Sequence, residues 1–215
     1  MNVTIPGGEY LTGSLDVISQ SLTIPVLVIL IIIVVISIIA LGGIISEYTS
    51  RKKVPVSVIR DLIYDINSAA SVEALKGIIE SAEIPVSQKK VLTEIASSSS
   101  LDVNSREALA RKLVEYEEEK IDTTLRQTDI ITRVGPTLGL MGTLIPMGPG
   151  LAALGAGDVN TLAESLTLAF NTTIVGIGSG ALCYVIGKFR SSWYDCYLSD
   201  LDALSDAVLD YMNKQ

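Results

Sequence analysis

Three long stretches without a charged residue constrain this chain more than any other feature. No Asp, Glu, Lys or Arg occurs between Asp16 and Glu47, from residue 134 to 157, or from 165 to 187. A helix needs about 20 mostly apolar residues to cross the roughly 30 Å hydrocarbon core of a bilayer. Because a backbone in lipid must satisfy its own hydrogen bonds, each stretch predicts a transmembrane helix. We therefore predict an all-α integral membrane protein with spans at residues 22–46, 134–157 and 165–187.

The first apolar stretch has a competing interpretation as a cleaved signal peptide. Its centre, residues 22–40, consists largely of Ile, Val and Leu. A signal peptide begins with a positively charged segment, whereas residues 1–21 contain Glu9 and Asp16 but no Lys or Arg. The pattern therefore favours a first span that is retained.

The positions of Lys and Arg beside the spans predict their orientation, because positively charged flanks remain on the cytoplasmic side. We expect residues 1–21 to lie outside a plasma or inner membrane, together with a short loop and helix start at residues 158–164. Residues 47–133 and 188–215 are expected in the cytoplasm, and both outer segments lack basic residues. The basic flanking residues are Arg51, Lys52, Lys53, Arg133, Lys188 and Arg190.

Spans two and three are predicted to continue as long cytoplasmic helices. Apolar residues recur at helical spacing from a cap near Asn104 and Ser105, and no Pro or Gly interrupts them before Gly135. Residues 188–215 are also amphipathic, with apolar side chains on one face and Asp on another. We expect these faces to pack against each other and against neighbouring subunits. The alternative is a self-contained cytoplasmic bundle in a monomer. Residues 54–100 are expected to form shorter helices whose arrangement the sequence does not define.

The composition argues against several function classes. The chain contains no His, and no span combines a nucleophile with a base, a metal cluster or a phosphate loop. Cys183 and Cys196 lack metal-ligand spacing and are interpreted as ordinary thiols. The formal net charge of -8 argues against nucleic acid as a partner. We therefore expect a protein in contact with membrane lipid that has no enzymatic activity, cofactor or metal.

Small and polar residues concentrate in spans two and three. Thr143, Asn171, Thr172 and Thr173 would supply neutral donors and acceptors to a water-lined ion pathway, although a lone hydroxyl usually bonds to its own helix. Glu164 either attracts cations to the outer mouth or is simply solvated at the interface. Glycines and prolines permit close helix approach and bending. The packing and kink positions predicted on this basis are Pro136, Gly139, Gly142, Pro146, Gly176 and Gly180.

Two motifs in these spans resemble those of a known family. Residues 136–143, PTLGLMGT, are similar to the P-x-x-G-L-x-G-T start of the second span in the MotA/TolQ/ExbB proton-channel family. Residues 172–177, TTIVGI, are similar to the T-x-x-G-[LI] element of its third span. The resemblance extends over about residues 105 to 190. The three-span layout with an outside amino terminus favours the ExbB/TolQ branch.

The resemblance implies a proton-channel subunit of a motor that couples the proton motive force to mechanical work or transport. Five copies would surround a dimer of a single-span partner of the ExbD, TolR or MotB type, whose membrane aspartate carries the proton. Thr143 and Thr173 would be the pore hydroxyls facing it. One departure concerns the family's glutamate five residues before the third-span threonine, because Leu168 occupies that position here. A channel for Na⁺ or a small solute and a non-conducting helical scaffold are the alternatives.

Overall fold

The computed structural model describes residues 8–50 and 54–214, and these residues form α-helices and no β-strand. The predicted all-α class is therefore confirmed. Arg51, Lys52 and Lys53, which helped to orient the first span, lie outside the described residues, as do residues 1–7 and 215. The helices are α1 (Gly8–Ser21), α2 (Thr23–Ser50), α3 (Val56–Asn67), α4 (Val72–Ser81), α5 (Val86–Ala96), α6 (Val103–Gly155) and α7 (Val159–Lys214).

Three helical stretches in the described residues are long and apolar enough to cross a membrane: Tyr10–Thr49, Val103–Gly155 and Val159–Lys214. The second and third contain 53 and 56 residues. At a rise of 1.5 Å per residue, each is roughly 80 Å long, whereas a bilayer with its headgroups is about 40–45 Å thick. Each of these two helices therefore continues, without interruption, well beyond the length that a membrane requires.

Among the described residues, one compact unit contains residues 8–47 and 126–188. Ile33 of α2, Ile131 of α6 and Cys183 of α7 form its buried cluster, and Ile36 and Leu138 pack against them. Fewer than half of the residues in the most apolar window of each membrane-length helix are buried. This large exposed apolar surface is what a lipid environment or contacts with other transmembrane helices would cover.

The second compact unit contains the described residues 48–50, 54–125 and 189–214. Amphipathic helices α3, α4 and α5 supply apolar side chains to a core that also includes the last turns of α7. Pro55 and Pro85 precede α3 and α5, and the Ser71 hydroxyl caps α4 by accepting a 3.2 Å hydrogen bond from the Ala74 N–H. The central, almost fully buried residues are Ile66, Leu75, Ile79, Leu92, Ile95, Leu201, Leu204 and Val208.

A buried arginine ties two helices of the second unit together. The Arg106 guanidinium in α6 donates to the Met212 carbonyl and to Asn213 Oδ1 at the end of α7, each at 2.9 Å. It also donates to the Leu101 carbonyl at 3.1 Å, just before α6 begins. Buried charged groups are tolerated when they are hydrogen-bonded in this way. The side chain thereby fixes the end of α7 against the start of α6.

The structure defines two helix boundaries that the sequence pattern left unspecified. Helix α1 lies within residues 1–21, for which the sequence suggested no structure. Helix α6 ends at Gly155 and α7 begins at Val159, so the turn between them is only residues 156–158. Gly157 has a φ of 85°, a conformation that glycine adopts without steric cost. Most of the expected loop and helix start at residues 158–164 is therefore already helical.

Candidate functional site

Helices α6 and α7 approach each other along a seam of small residues. A Cβ atom added to Gly176 would lie 2.5 Å from the Gly135 carbonyl oxygen and 2.7 Å from the Gly139 Cα. A Cβ on Gly142 would lie 2.6 Å from the Thr172 Cβ. Real side chains do not tolerate such distances, so the two backbones can touch only because these positions carry no side chain.

The seam extends in both directions and includes prolines. A Cβ on Gly180 would lie 2.8 Å from Pro136 Cδ, and one on Gly150 would lie 2.9 Å from the Ser165 Cβ. Helix α6 also contains Pro146 and Pro149. Because proline lacks an N–H, Pro136, Pro146 and Pro149 each leave the carbonyl four residues earlier without its usual helical donor. The freed carbonyls belong to Thr132, Gly142 and Ile145.

The two adjacent threonines of α7 have different environments. Thr172 is 4% exposed, and its side chain fills the space beside Gly142. Thr173 is only partly buried. Both hydroxyls donate to the Ala169 carbonyl, at 2.9 Å and 3.1 Å respectively. Thr172 therefore packs within the seam, whereas Thr173 lies at its edge.

Thr143 and Thr173 lie at the same edge of the seam. The Cβ position of Gly139 is 3.5 Å from the Thr173 Cα, and Thr143 follows Gly139 by one helical turn on the same side of α6. Thr143 is partly buried, and its hydroxyl donates to the Leu140 carbonyl at 2.6 Å. Leu138, on the other side of Gly139, packs with the cluster that includes α2. Helix α2 therefore covers the opposite edge.

Asn171 and Glu164 lie on the other flank of α7. A helix turns about 100° per residue, so Asn171 and Thr173 point to opposite sides of the seam residue Thr172. Glu164 precedes Asn171 by seven residues, close to two full turns, and shares its face. Both side chains are exposed and have no hydrogen bond or ion pair within the described residues. Thr143 and Thr173 therefore share one edge of the seam, whereas Asn171 and Glu164 lie on the other flank of α7.

The turn between the two helices is held by Asp158. Its carboxylate accepts a 3.1 Å hydrogen bond from the Thr161 N–H and a second from the Thr161 hydroxyl. The Thr161 hydroxyl first, and the Thr161 and Asn160 N–H groups in addition, hold the pKa of Asp158 below its usual value. The side chain is thus an N-cap for α7 that needs its negative charge, rather than a proton carrier at neutral pH.

A polar contact that the sequence analysis missed joins α2 to α7. The Ser37 hydroxyl donates to the Ile33 carbonyl at 2.7 Å and lies 3.3 Å from Cys183 Sγ. Ser37 is 2% exposed and Cys183 is fully buried. The sequence did contain a signal for this contact, because Ser37 is isolated in a long Ile- and Val-rich run. Polar side chains in transmembrane helices usually face another helix.

Similarity to known proteins agrees with this architecture. The sequence model described as the MotA/TolQ/ExbB proton channel family matches residues 80–202, more than half of the chain. The chain belongs to the MotA/TolQ/ExbB proton channel family. The matched region contains both motifs at residues 136–143 and 172–177, so the resemblance that they suggested is confirmed. Comparison with curated proteins gives no match.

Membership in the MotA/TolQ/ExbB family supports a role as a proton channel in a membrane, because its members are channel-type proteins rather than enzymes. The chemistry of the seam is compatible with that role, since its polar groups are hydroxyls and backbone carbonyls. Among the described residues, no group of three or more Cys, Asp or Glu side chains could hold a metal ion.

Proposed function

We propose that this chain is the proton-conducting subunit of a homopentamer that surrounds a dimer of a single-span partner. The complex couples the proton motive force to mechanical work or transport, as in the ExbB/TolQ branch. The observation that carries the proposal is the shared position of Thr143 and Thr173 at the edge of the seam that α2 leaves uncovered. Both residues occur at matched positions of the family motifs.

The proposal includes a membrane topology. Residues 22–46, 134–157 and 165–187 cross a plasma or inner membrane, with the amino terminus outside and the carboxyl terminus in the cytoplasm. The apolar, charge-free character of these segments supports the crossings, and the basic residues beside them support the orientation. Residues 47–133 and 188–215 then lie in the cytoplasm, and the turn at residues 156–158 faces outward.

The edge of the seam offers acceptors without fixed charge. Each threonine hydroxyl gives its proton to its own helix and retains oxygen lone pairs that can accept a hydrogen bond. The Gly142 carbonyl, freed by Pro146, adds another acceptor one residue from Thr143. These groups would receive the O–H of a protonated carboxylic acid on the partner. A fixed carboxylate at the same place would instead retain cations.

The partner is needed because the three spans themselves contain no aspartate or glutamate at residues 22–46, 134–157 or 165–187. An aspartate on the partner's transmembrane helix would alternate between protonated and ionised states beside Thr143 and Thr173. Each proton that crosses provides about 2.3 kcal/mol per 100 mV of membrane potential. That energy would drive movement of the partner relative to the ring of channel subunits.

The remaining candidates receive different assignments. Thr172 packs α6 against α7 and does not line the path. Asn171 and Glu164 lie on the other flank of α7, so we assign them no contact with the proton carrier within one protomer. Glu164 would influence entry only through a neighbouring subunit or through the electrostatic potential at the outer surface.

Valine substitutions at the adjacent residues Thr172 and Thr173 test the proposed proton path. The complex with its co-purifying partner is reconstituted in liposomes, and potential-driven proton entry is followed with a pH-sensitive dye. Thr173→Val should lower the proton flux at least about tenfold, because a hydrogen bond to a charged or proton-transferring group contributes about 1.5–3 kcal/mol. Thr172→Val makes the same chemical change in the seam and should retain flux within about twofold, because Thr172 does not face the path and Val loses only the hydroxyl's bond to its own helix at Ala169.

The opposite ranking of these two variants would refute the assignment of the path. A flux that follows the Na⁺ gradient and is insensitive to pH would identify a sodium channel instead. A complete wild-type complex without any flux would identify a scaffold. Native mass spectrometry of the same preparation tests the assembly: five copies with two copies of an aspartate-bearing single-span protein are expected, and a monomer would contradict the proposal.

A further inference from the structure

An open groove of about 780 Å³ lies between α6 and α7 within the second compact unit. Its walls run from Glu107 to Glu118 on α6 and from Asp202 to Asn213 on α7. The ends of each wall are eleven residues apart, which corresponds to about 16 Å, or three turns of helix. Ala110, Val114 and Leu209 contribute apolar surface. A two-helix groove of this length can accommodate a third helix of similar length.

Carboxylates without ion-pair partners line the groove. Asp202, Asp206 and Asp210 follow one another at four-residue intervals on α7, an arrangement of like charges that is unfavourable in a helix. These three have no ion pair among the described residues, and the same is true of Glu107 and Glu118 on the opposite wall.

The electrostatic environment of the groove would favour an added positive charge. Desolvation raises the pKa of Asp202, and the nearby Asp206 carboxylate raises it further. Arg111 is the basic residue among the described residues that line the groove. Of the acidic residues in the lining, Glu115 already forms an ion pair with Lys112 at 3.0 Å. Six acidic residues therefore share the lining with one basic residue, and a cationic ligand would relieve their mutual repulsion.

A buried polar group in the groove provides an independent observation. Ser205 is 3% exposed and lines the groove, and its Oγ has no hydrogen-bond partner within the described part of the chain. Serine hydroxyls inside helices commonly donate to the carbonyl one turn earlier, as Ser97 does to Thr93 in the same unit. Buried polar atoms are normally satisfied. The unsatisfied Ser205 hydroxyl in the lining is a polar atom to which an occupant of the groove can bond.

We propose that this groove is the docking site for a basic amphipathic helix of a separate protein. Lys or Arg side chains of that helix, spaced four residues apart, pair with Asp202, Asp206 and Asp210, while its apolar face covers Val114 and Leu209. A polar atom of the occupant bonds to Ser205. Charge argues against a second copy bound through the same surface, because two acidic grooves would face each other. The proposal is independent of proton conduction.

Binding of a designed probe to the purified full chain in detergent tests the docking site. The probe is a fluorescent peptide of about four turns with Leu on one face and Lys at four-residue intervals on the other, and its affinity is measured by fluorescence anisotropy. A scrambled peptide of identical composition is the first control. We expect the patterned peptide to bind at least about tenfold more tightly, because only its helix presents apolar and basic faces together.

Charge-matched variants then locate the binding surface. Asp206→Asn with Asp210→Asn should weaken peptide binding at least about fivefold, the expected effect of losing two partly exposed ion pairs. Asp65→Asn with Glu80→Gln removes the same charge from exposed positions on α3 and α4 and should change binding less than about twofold.

A second variant, Glu107→Gln with Glu118→Gln on α6, tests the opposite wall of the groove and should also weaken peptide binding. It replaces the α7 variant if that variant does not fold. Equal binding of patterned and scrambled peptides would refute the proposal. Equal losses in the groove and control variants would do the same, because they would indicate attraction to net charge alone. A change in the number of copies of the complex, measured by native mass spectrometry for the groove variants, would assign the surface to self-association instead.

Discussion

The backbone contact at Gly176 gives the sharpest test of the seam between α6 and α7. An alanine Cβ at this position would lie 2.5 Å from the Gly135 carbonyl oxygen and 2.7 Å from the Gly139 Cα. Carbon atoms pack at about 3.5–4.0 Å. The helices would therefore have to separate by roughly 1 Å, because the opposing atoms belong to backbone that cannot rotate away.

The expected magnitude follows from two opposing contributions. Overpacking costs about 1–3 kcal/mol, and contact with rigid backbone places this site at the upper end. Replacement of a helical glycine by alanine returns about 0.5–1 kcal/mol. We expect Gly176→Ala to lower the free energy of unfolding by about 2 kcal/mol. Gly178→Ala is the matched control two residues away, because no atom lies within 4 Å of its Cβ position, and it should be neutral or stabilising by up to about 1 kcal/mol.

Both variants can be compared by unfolding in mixed detergent and SDS micelles, with helicity followed by circular dichroism. The difference between them should be about 2–3 kcal/mol, since the alanine substitution has the same effect on helix propensity in each. Equal stabilities for Gly176→Ala and Gly178→Ala would refute the close approach of the two helices. Greater destabilisation by Gly178→Ala would indicate that a different face of α7 forms the seam.

Three further predictions concern separate parts of the molecule. The lowered pKa of Asp158 means that its cap stabilises the folded chain above the unfolded-state pKa of about 3.9 and is lost as pH falls through the lower folded value. Thermal unfolding of wild type and Asp158→Ala should therefore differ at pH 7 and converge in acid. Leu92→Ala, in the fully buried core, should cost about 2–5 kcal/mol, whereas Val86→Ala at an exposed site should change stability by less than about 0.5 kcal/mol; chemical denaturation measures both. Maleimide should label exposed Cys196 in the folded protein and react with buried Cys183 only after denaturation, as mass spectrometry would show.

Three helices long and apolar enough to cross a membrane were predictable, because charge is excluded from lipid so strongly that its absence marks each candidate segment. The long helix from residue 103 was also predictable, since no Pro or Gly lies between residue 103 and Gly135. Helix α1 was not, because its 14 residues lack a strong apolar run. The side chains of the second unit follow an amphipathic pattern, but their pairwise packing depends on contacts between residues far apart in sequence.

The faces of the membrane helices were harder to predict because lipid-facing and protein-facing residues are both apolar there. The sequence nevertheless contained one signal for Thr172. This residue, Gly176 and Gly180 recur at intervals of four, so they share one face of α7. That spacing distinguishes Thr172, which packs in the seam, from its neighbour Thr173. For Ser37 the position was visible, but its proximity to Cys183 required the packing of α2 against α7.

The prolines of α6 divide its charge-free portion into regions of unequal stiffness. Between Gly135 and Gly142 the helix lies against α7, with backbone contacts at Gly135 and Gly139 and with the Thr172 side chain beside Gly142. Beyond this, Pro146 and Pro149 remove two internal hydrogen bonds within one turn, which lowers the resistance of a helix to bending. Bending of α6 should therefore concentrate at residues 142–149, between its close contacts with α7 at Gly142 and at Gly150, and Thr143 lies at the start of this softer stretch.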